Sequence, residues 1–181
     1  MVSVVGGCVI TQGISQDVLT GSFLAIMSTP VPNWTYQGHV LPYLANVVTP
    51  ELERAATAGE PVALRHAFDP GILDTDLAAA ATIEVERING SVLLISGADD
   101  QAYGPTFQEV AAQRLASHQH KYPWKHVVYE DAGHLIAAPP YGPTTISLSP
   151  GRGVTFRWGG TPAADARARA GAWPEILSFL H

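Results

Sequence analysis

Two side chains that could share a proton each come shortly after a predicted β-strand. Asp100 follows the apolar run at residues 91–96, and His134 follows the run at 126–129. In open parallel sheets, functional residues lie in the loops at the carboxyl ends of the strands. An aspartate there can orient a histidine, which then takes a proton from a nucleophile and returns it to a leaving group. We therefore predict Asp100 as a catalytic acid and His134 as a catalytic base, with Asp99 as an alternative acid.

The elements that would position this pair alternate between strands and helices. Residues 1–5 and 91–96 have the apolar composition of strands buried on both faces, and residues 126–129 indicate a shorter strand. Helices are predicted at 106–117 and 163–180. The buried stripe expected on the second helix consists of Trp173, Ile176, Leu177 and Leu180. The alternation predicts an α/β fold, with a mostly parallel sheet and crossover helices.

A long irregular segment separates the first two predicted strands. Proline and glycine interrupt residues 11–82 repeatedly, so we expect a loop-rich segment that covers a functional site. Short helices are predicted at 50–58, where a proline opens the first turn, and at 74–81, where Asp74 can cap the helix. A length of 181 residues predicts one domain spanning residues 1–181.

Composition excludes several classes of protein. The formal net charge of -6 argues against nucleic-acid binding, which usually needs a basic face. The sequence predicts no membrane span, and its single cysteine fits a reducing compartment, so a cytoplasmic location is expected. His118, His120 and His126 lack the accompanying ligands of a closed metal site, so we interpret them as solvated surface residues. No metal or other cofactor is expected.

Two residues are weak candidates for a nucleophile. Ser15 lies in Gly13-Ile-Ser-Gln-Asp17, which begins like the sharp strand-to-helix turn that holds a catalytic serine. Asp17, however, replaces the small residue that this turn requires. Cys8 is chemically the better nucleophile, but a lone cysteine in an apolar segment is usually a small buried hydrophobe.

Motifs around the predicted pair resemble one enzyme family in particular. They are residues 88–101, Gly133-His134 with Pro139-Pro140-Tyr141, Trp158-Gly159-Gly160 with Trp173, and Trp34 to Gly38 with Leu41-Pro42-Tyr43. Together they are similar to the C-terminal α/β-hydrolase domain of the acyl-CoA thioesterase and bile acid-CoA:amino acid N-acyltransferase family. The resemblance implies acyl-CoA or a related thioester or ester as substrate, and Asp100 and His134 match the family's acid and histidine.

The resemblance also implies a Gly-x-[Ser/Cys]-x-Gly turn that would lie upstream of Met1. We therefore expect a partial α/β-hydrolase truncated at its N-terminus, whose nucleophile is missing from this chain. One alternative is a non-catalytic binding module, which would form a homodimer through an exposed sheet edge. Another is an esterase similar to dienelactone hydrolase that uses Ser15 or Cys8.

Overall fold

The computed structural model describes residues 1–13, 22–142, 144–151 and 153–181. Its contacts divide the chain into two compact units. The first comprises Met1–Cys8, Glu84–Ser147 and Trp158–His181, and the second comprises Val9–Ile83 and Leu148–Arg157. The strands are β1 (Val2–Val4), β2 (Thr35–Tyr36), β3 (His39–Val40), β4 (Val92–Gly97), β5 (Trp124–Tyr129), β6 (Ser147–Gly151) and β7 (Val154–Arg157). The helices are α1 (Phe23–Ser28), α2 (Pro50–Ala58), α3 (Arg65–Ile72), α4 (Thr75–Ala81), α5 (Gly104–Ser117) and α6 (Pro162–Leu180), with a short 3₁₀ turn at Val85–Arg87.

A three-stranded parallel sheet forms the centre of the first unit. Its strand order is β1–β4–β5, with Val4 opposite Ile95 and Ser96 opposite Val128. Every residue of β4 is buried, as its uninterrupted apolar sequence predicts. Because both pairings are parallel, the carboxyl ends of the strands lie at the same edge of the sheet, which is where the loops after β4 and β5 begin. The prediction of an α/β fold with a parallel sheet is confirmed.

Helix α6 buries small residues against this sheet, with some of its larger residues partly buried beside them. Ala168 and Ala172 belong to the core cluster that contains Leu93 and Ile95. Leu177 is 43% exposed and Leu180 is 67% exposed, so the buried stripe predicted from the large apolar residues is wrong for these two positions. The alanines allow the helix to approach the sheet closely, and Ile176, which was also predicted in the stripe, packs against the same cluster together with Phe179.

The second unit contains most of the segment that the sequence indicated as loop-rich. Helix α2 has the predicted bounds, with Thr49 as its N-cap and a proline in the first turn. Asp74 caps α4 through a hydrogen bond from the Leu77 N–H, also as predicted. Helices α1 and α3 were not predicted; α3 contains Pro70 near its end, which argues locally against a helix.

This second unit has a hydrophobic core of its own. The core consists of Met27, Leu52, Val62, Ala67 and Val154. Phe23 and Phe156 pack at its periphery with their rings edge to face. Its strands form two small sheets, the antiparallel pair β2–β3 and the pair β6–β7. Strand β6 begins at Ser147, where the first unit ends. Within the described residues, no helix combines the length and apolar character needed to cross a bilayer.

Candidate active site

Asp100 and His134 meet in the first unit. The Oδ2 atom of Asp100 lies 2.9 Å from Nδ1 of His134. Asp100 sits in the loop after β4 and His134 in the loop after β5, so the two neighbouring strands deliver the side chains to one edge of the sheet. The predicted contact between these two residues is confirmed, while their catalytic role stays a prediction.

The alternative acid, Asp99, has a different set of partners. One of its carboxylate oxygens accepts a hydrogen bond from the Gln101 side-chain amide at 2.5 Å. The other accepts the backbone N–H of Gly160 at 2.8 Å. Asp99 therefore links two loops, and Asp100 is the residue of the pair that contacts the histidine.

Backbone donors hold the carboxylate of Asp100 in place. Its Oδ1 accepts the N–H of Ala102 at 2.7 Å and that of Tyr103 at 3.2 Å, and the residue is only 3% exposed. A carboxylate without a proton only accepts hydrogen bonds, so Nδ1 of His134 must donate. In the neutral imidazole the proton then lies on Nδ1, which leaves Nε2 with a free lone pair. This is the tautomer that a general base requires.

Two aromatic rings lie beside the imidazole of His134. Trp158 stacks on it, with ring centroids 5.1 Å apart and planes inclined by 19°. Tyr103 lies at 5.8 Å with an inclination of 50°. The backbone N–H of His134 donates to the carbonyl of Trp158 at 2.9 Å. The side chain of His134 nevertheless stays 19% exposed, so the imidazole can be reached from solvent.

The segment Trp158-Gly159-Gly160 binds the two site loops to each other. The carbonyl of Trp158 accepts the N–H of Gln101 at 3.2 Å as well as that of His134 at 2.9 Å. Gly159 and Gly160 have φ values of +80° and +71°, which favour glycine. A Cβ atom on Gly159 would overlap the carbonyl oxygen of Asp99, and one on Gly160 would overlap the backbone nitrogen of Gly133. The motif therefore has a structural basis, although nothing in the sequence indicated that Trp158 stacks on His134.

The surroundings of Cys8 do not support a role as the nucleophile. Cys8 is buried, and its thiol lies 3.6 Å from the Phe107 carbonyl, to which it donates. Burial raises the pKa of the Cys8 thiol to about 11, so the reactive thiolate is scarce near neutral pH. Ser15 lies outside the described residues.

The three histidines interpreted as solvated differ in their environments. His118 is exposed, as predicted. His120 is half-buried, and its two ring nitrogens each lie 3.0 Å from a backbone carbonyl, those of Glu86 and Gly90. His126 is half-buried 2.7 Å from the Ser96 hydroxyl, and burial lowers its pKa. The surface interpretation is wrong for His120 and His126, because tertiary packing places them against other elements. In the described part of the chain, no three His, Cys, Asp or Glu residues cluster closely enough to hold a metal ion.

Comparison with known proteins identifies the family. The family model described as "BAAT / Acyl-CoA thioester hydrolase C terminal" matches residues 36–181. The chain belongs to this family. It is 34% identical to acyl-coenzyme A amino acid N-acyltransferase 2 of Rattus norvegicus over 146 residues, which is 77% of this chain and 34% of that protein. It is also 31% identical to acyl-coenzyme A thioesterase 6 of Homo sapiens over 100 residues, or 55% of this chain and 24% of that protein.

These matches cover only part of each relative. The chain corresponds to 24% of the human thioesterase and 34% of the rat acyltransferase. The resemblance inferred from the motifs is confirmed, and its Asp100 and His134 segments both fall within residues 36–181.

Proposed function

We propose that Asp100 and His134 are the acid and the base of an acyl-transfer site that acts on acyl-CoA thioesters. The observation that carries the proposal is the 2.9 Å contact between their side chains. It lies at the carboxyl ends of adjacent parallel strands, in a chain of the acyl-CoA thioester hydrolase family.

The proposed mechanism begins with Nε2 of His134. This atom takes the proton of a serine hydroxyl or cysteine thiol as the nucleophile attacks the thioester carbonyl. Asp100 stabilises the imidazolium that results. The tetrahedral intermediate collapses, the carbon–sulfur bond breaks, and the CoA sulfur takes the proton from His134, which becomes neutral again. Water or an amine, deprotonated by His134, then attacks the acyl-enzyme. The bond between the acyl group and the nucleophile breaks, and His134 returns the proton to the nucleophile as the acid or amide leaves.

The nucleophile in this proposal comes from a Gly-x-[Ser/Cys]-x-Gly turn that precedes β1. The position of β1 supports the assignment, because β1 is an edge strand in the described sheet and can pair with a further strand. The buried and protonated thiol of Cys8 makes the alternative esterase mechanism through that residue unfavourable.

An acyl-CoA hydrolysis assay tests the proposal. The protein should be produced from its full reading frame, including any in-frame sequence upstream of Met1, and CoA release followed with a thiol reagent. His134→Ala is expected to lower kcat by roughly 10²- to 10⁴-fold, because a general base contributes about that much. His118→Ala is the control, since His118 is exposed at the end of α5. A wild-type rate in His134→Ala would contradict the proposal.

A labelling experiment separates the alternative nucleophiles. A fluorophosphonate probe for serine and a thiol probe for cysteine can be applied to the native 181-residue chain, and the adducts located by mass spectrometry. We expect neither Ser15 nor Cys8 to be labelled rapidly. Rapid labelling of Ser15 that depends on His134 would favour the self-sufficient esterase instead.

A further inference from the structure

Two charged side chains of α6 contact the backbone on either side of His134. Asp165 accepts the N–H of Gly133 at 2.8 Å through Oδ1. Arg169 donates from Nε to the carbonyl of Leu135 at 2.8 Å, and its Nη2 donates to the same oxygen. Asp165 and Arg169 are separated by one helical turn, so they lie on the same face of α6. We call these two residues the α6 charged pair.

Both members of the α6 charged pair are buried, which is costly for ionisable groups. Asp165 is 0% exposed and Arg169 is 6% exposed. Burial raises the pKa of Asp165, although the Gly133 N–H and the nearby charge of Arg169 act in the opposite direction. Oδ2 of Asp165 has no hydrogen-bond partner among the described residues. An apolar residue of similar volume would often pack a helix equally well, so stability alone is a poor explanation for this carboxylate.

The contacts of the pair determine where the histidine backbone lies. The Gly133 N–H and the Leu135 carbonyl belong to the peptide groups close to His134, one on each side. Gly133 also has Gly159 directly against it, where a Cβ would overlap the Gly159 carbonyl. Because the backbone is held at both Gly133 and Leu135, the Cα atom of His134 has a fixed position. From that position the imidazole ring contacts Asp100.

We propose that Asp165 and Arg169 are positioning residues for His134, which hold its backbone so that the imidazole keeps its bond to Asp100. The importance of this role for catalysis rests on the proposed function. The geometric claim does not, since it concerns a hydrogen bond that can be observed without turnover.

Matched substitutions can separate positioning from simple packing. Asp165→Asn keeps an oxygen that accepts the Gly133 N–H, whereas Asp165→Leu has a similar volume and no acceptor. Arg169→Lys keeps a donor, and Arg169→Met does not. Arg167→Met is the control for the loss of an exposed arginine on α6. Ala172→Gly is the control for lost stability, because Ala172 lies in the core and its side chain makes no hydrogen bond.

The readout is the His134 Nδ1–H proton, observed by NMR in ¹⁵N-histidine-labelled protein. We expect its exchange with solvent to become faster by about tenfold or more in Asp165→Leu and Arg169→Met, because the loop opens more often. Asp165→Asn, Arg167→Met and Ala172→Gly should stay near the wild-type rate. Wild-type exchange in both Asp165→Leu and Arg169→Met would overturn the proposal, as would equally fast exchange in Ala172→Gly.

A second measurement applies even if the Leu or Met variant does not fold. In the wild-type chain, hydrogen exchange at the Gly133 amide should be protected, because Asp165 accepts its hydrogen bond in a buried site. An unprotected Gly133 amide would overturn the proposal.

Activity gives a separate result. In a protein with acyl-CoA hydrolase activity, Asp165→Leu should lower kcat by roughly 10- to 100-fold with little change in KM. If the wild type hydrolyses no acyl-CoA, the proposed function fails, while the NMR comparison still decides whether the α6 charged pair positions His134.

Discussion

At the scale of single residues, the geometry of the site depends on the hydrogen bonds that the Asp100 carboxylate accepts. Asp100 receives two backbone N–H groups on Oδ1 and the imidazole of His134 on Oδ2. This arrangement orients the carboxylate before any substrate is present, which is the preorganisation that acid–base catalysis needs. The ring of Trp158 further limits the rotation of His134 through stacking.

Because of Cys8, the free energy of unfolding of the chain should decrease at alkaline pH. Its pKa is raised from 9.0 to about 11 in the folded state. The unfolded thiol therefore ionises first, and the stability present below pH 9 is lost as pH rises toward 11. The loss is about 2–3 kcal/mol, since one pKa unit corresponds to about 1.4 kcal/mol.

Urea unfolding of wild type and Cys8→Ala, followed from pH 8 to pH 11, checks this expectation. The variant controls for lysines and tyrosines, which titrate in both proteins. The stability of wild type should fall relative to that of Cys8→Ala as pH rises. A difference between the two proteins that stays constant over this range would show that the pKa of the Cys8 thiol is not raised in the folded state.

The contact between Asp100 and His134 could be predicted from the sequence, but the residues that surround this pair could not. Asp100 and His134 each follow an apolar strand, and parallel pairing brings such positions together. Asp165 gives no comparable signal, because its partner is a backbone N–H in a distant loop. The sequence favoured Asp100 and left Asp99 as the alternative acid; three-dimensional contacts distinguish the two, since Asp100 contacts His134 and the Asp99 carboxylate accepts the Gly160 N–H.

At the scale of elements, local signals predicted some helices well and others poorly. The cap residues Thr49 and Asp74 mark the starts of α2 and α4 in the sequence itself. Helix α3 contains Pro70 and Gly71, so tertiary packing overrides its local preference. The face that α6 buries was predicted in part: Ile176 packs against the core as expected, whereas Leu180 is exposed and alanines that the prediction passed over are buried.

The turn at Trp158-Gly159-Gly160 should tolerate no side chain at Gly159. Gly159→Ala combines a φ of +80° with overlap against the Asp99 carbonyl. Gly38 is the matched control, because its φ is +81° and nothing lies within 4 Å of an added Cβ. We expect Gly38→Ala to cost about 1–2 kcal/mol from backbone strain alone. Gly159→Ala should cost more than about 3 kcal/mol, because a neighbouring backbone must also move.

Thermal or urea unfolding of the two alanine variants measures this difference. In Gly159→Ala, the contacts of Trp158 with Gln101 and His134 should also weaken, which NMR shift changes at these residues would report. Equal losses of stability in the two variants would mean that the turn does not press against Asp99 as described.

At the scale of the whole molecule, the chain holds two compact units, each with its own hydrophobic core. The Asp100–His134 pair and the helix that contacts its loop lie entirely within the first unit. The family match extends over residues 36–181 and so includes parts of both. Several of the motifs that revealed the family lie in the site loops or contact them, while the homodimer expected through a sheet edge stays a prediction.

Catalysis as proposed depends on Asp100 holding His134 in the tautomer whose Nε2 is free to act as a base. Long-range ¹H–¹⁵N NMR of the histidine ring measures this directly, at a pH where the imidazole is neutral. We predict a proton on Nδ1 and an unprotonated Nε2 in the wild type, and in Asp100→Asn a shift toward the other tautomer, because the amide can donate to Nδ1. A wild-type His134 with its proton on Nε2, or a tautomer unaffected by Asp100→Asn, would contradict the account.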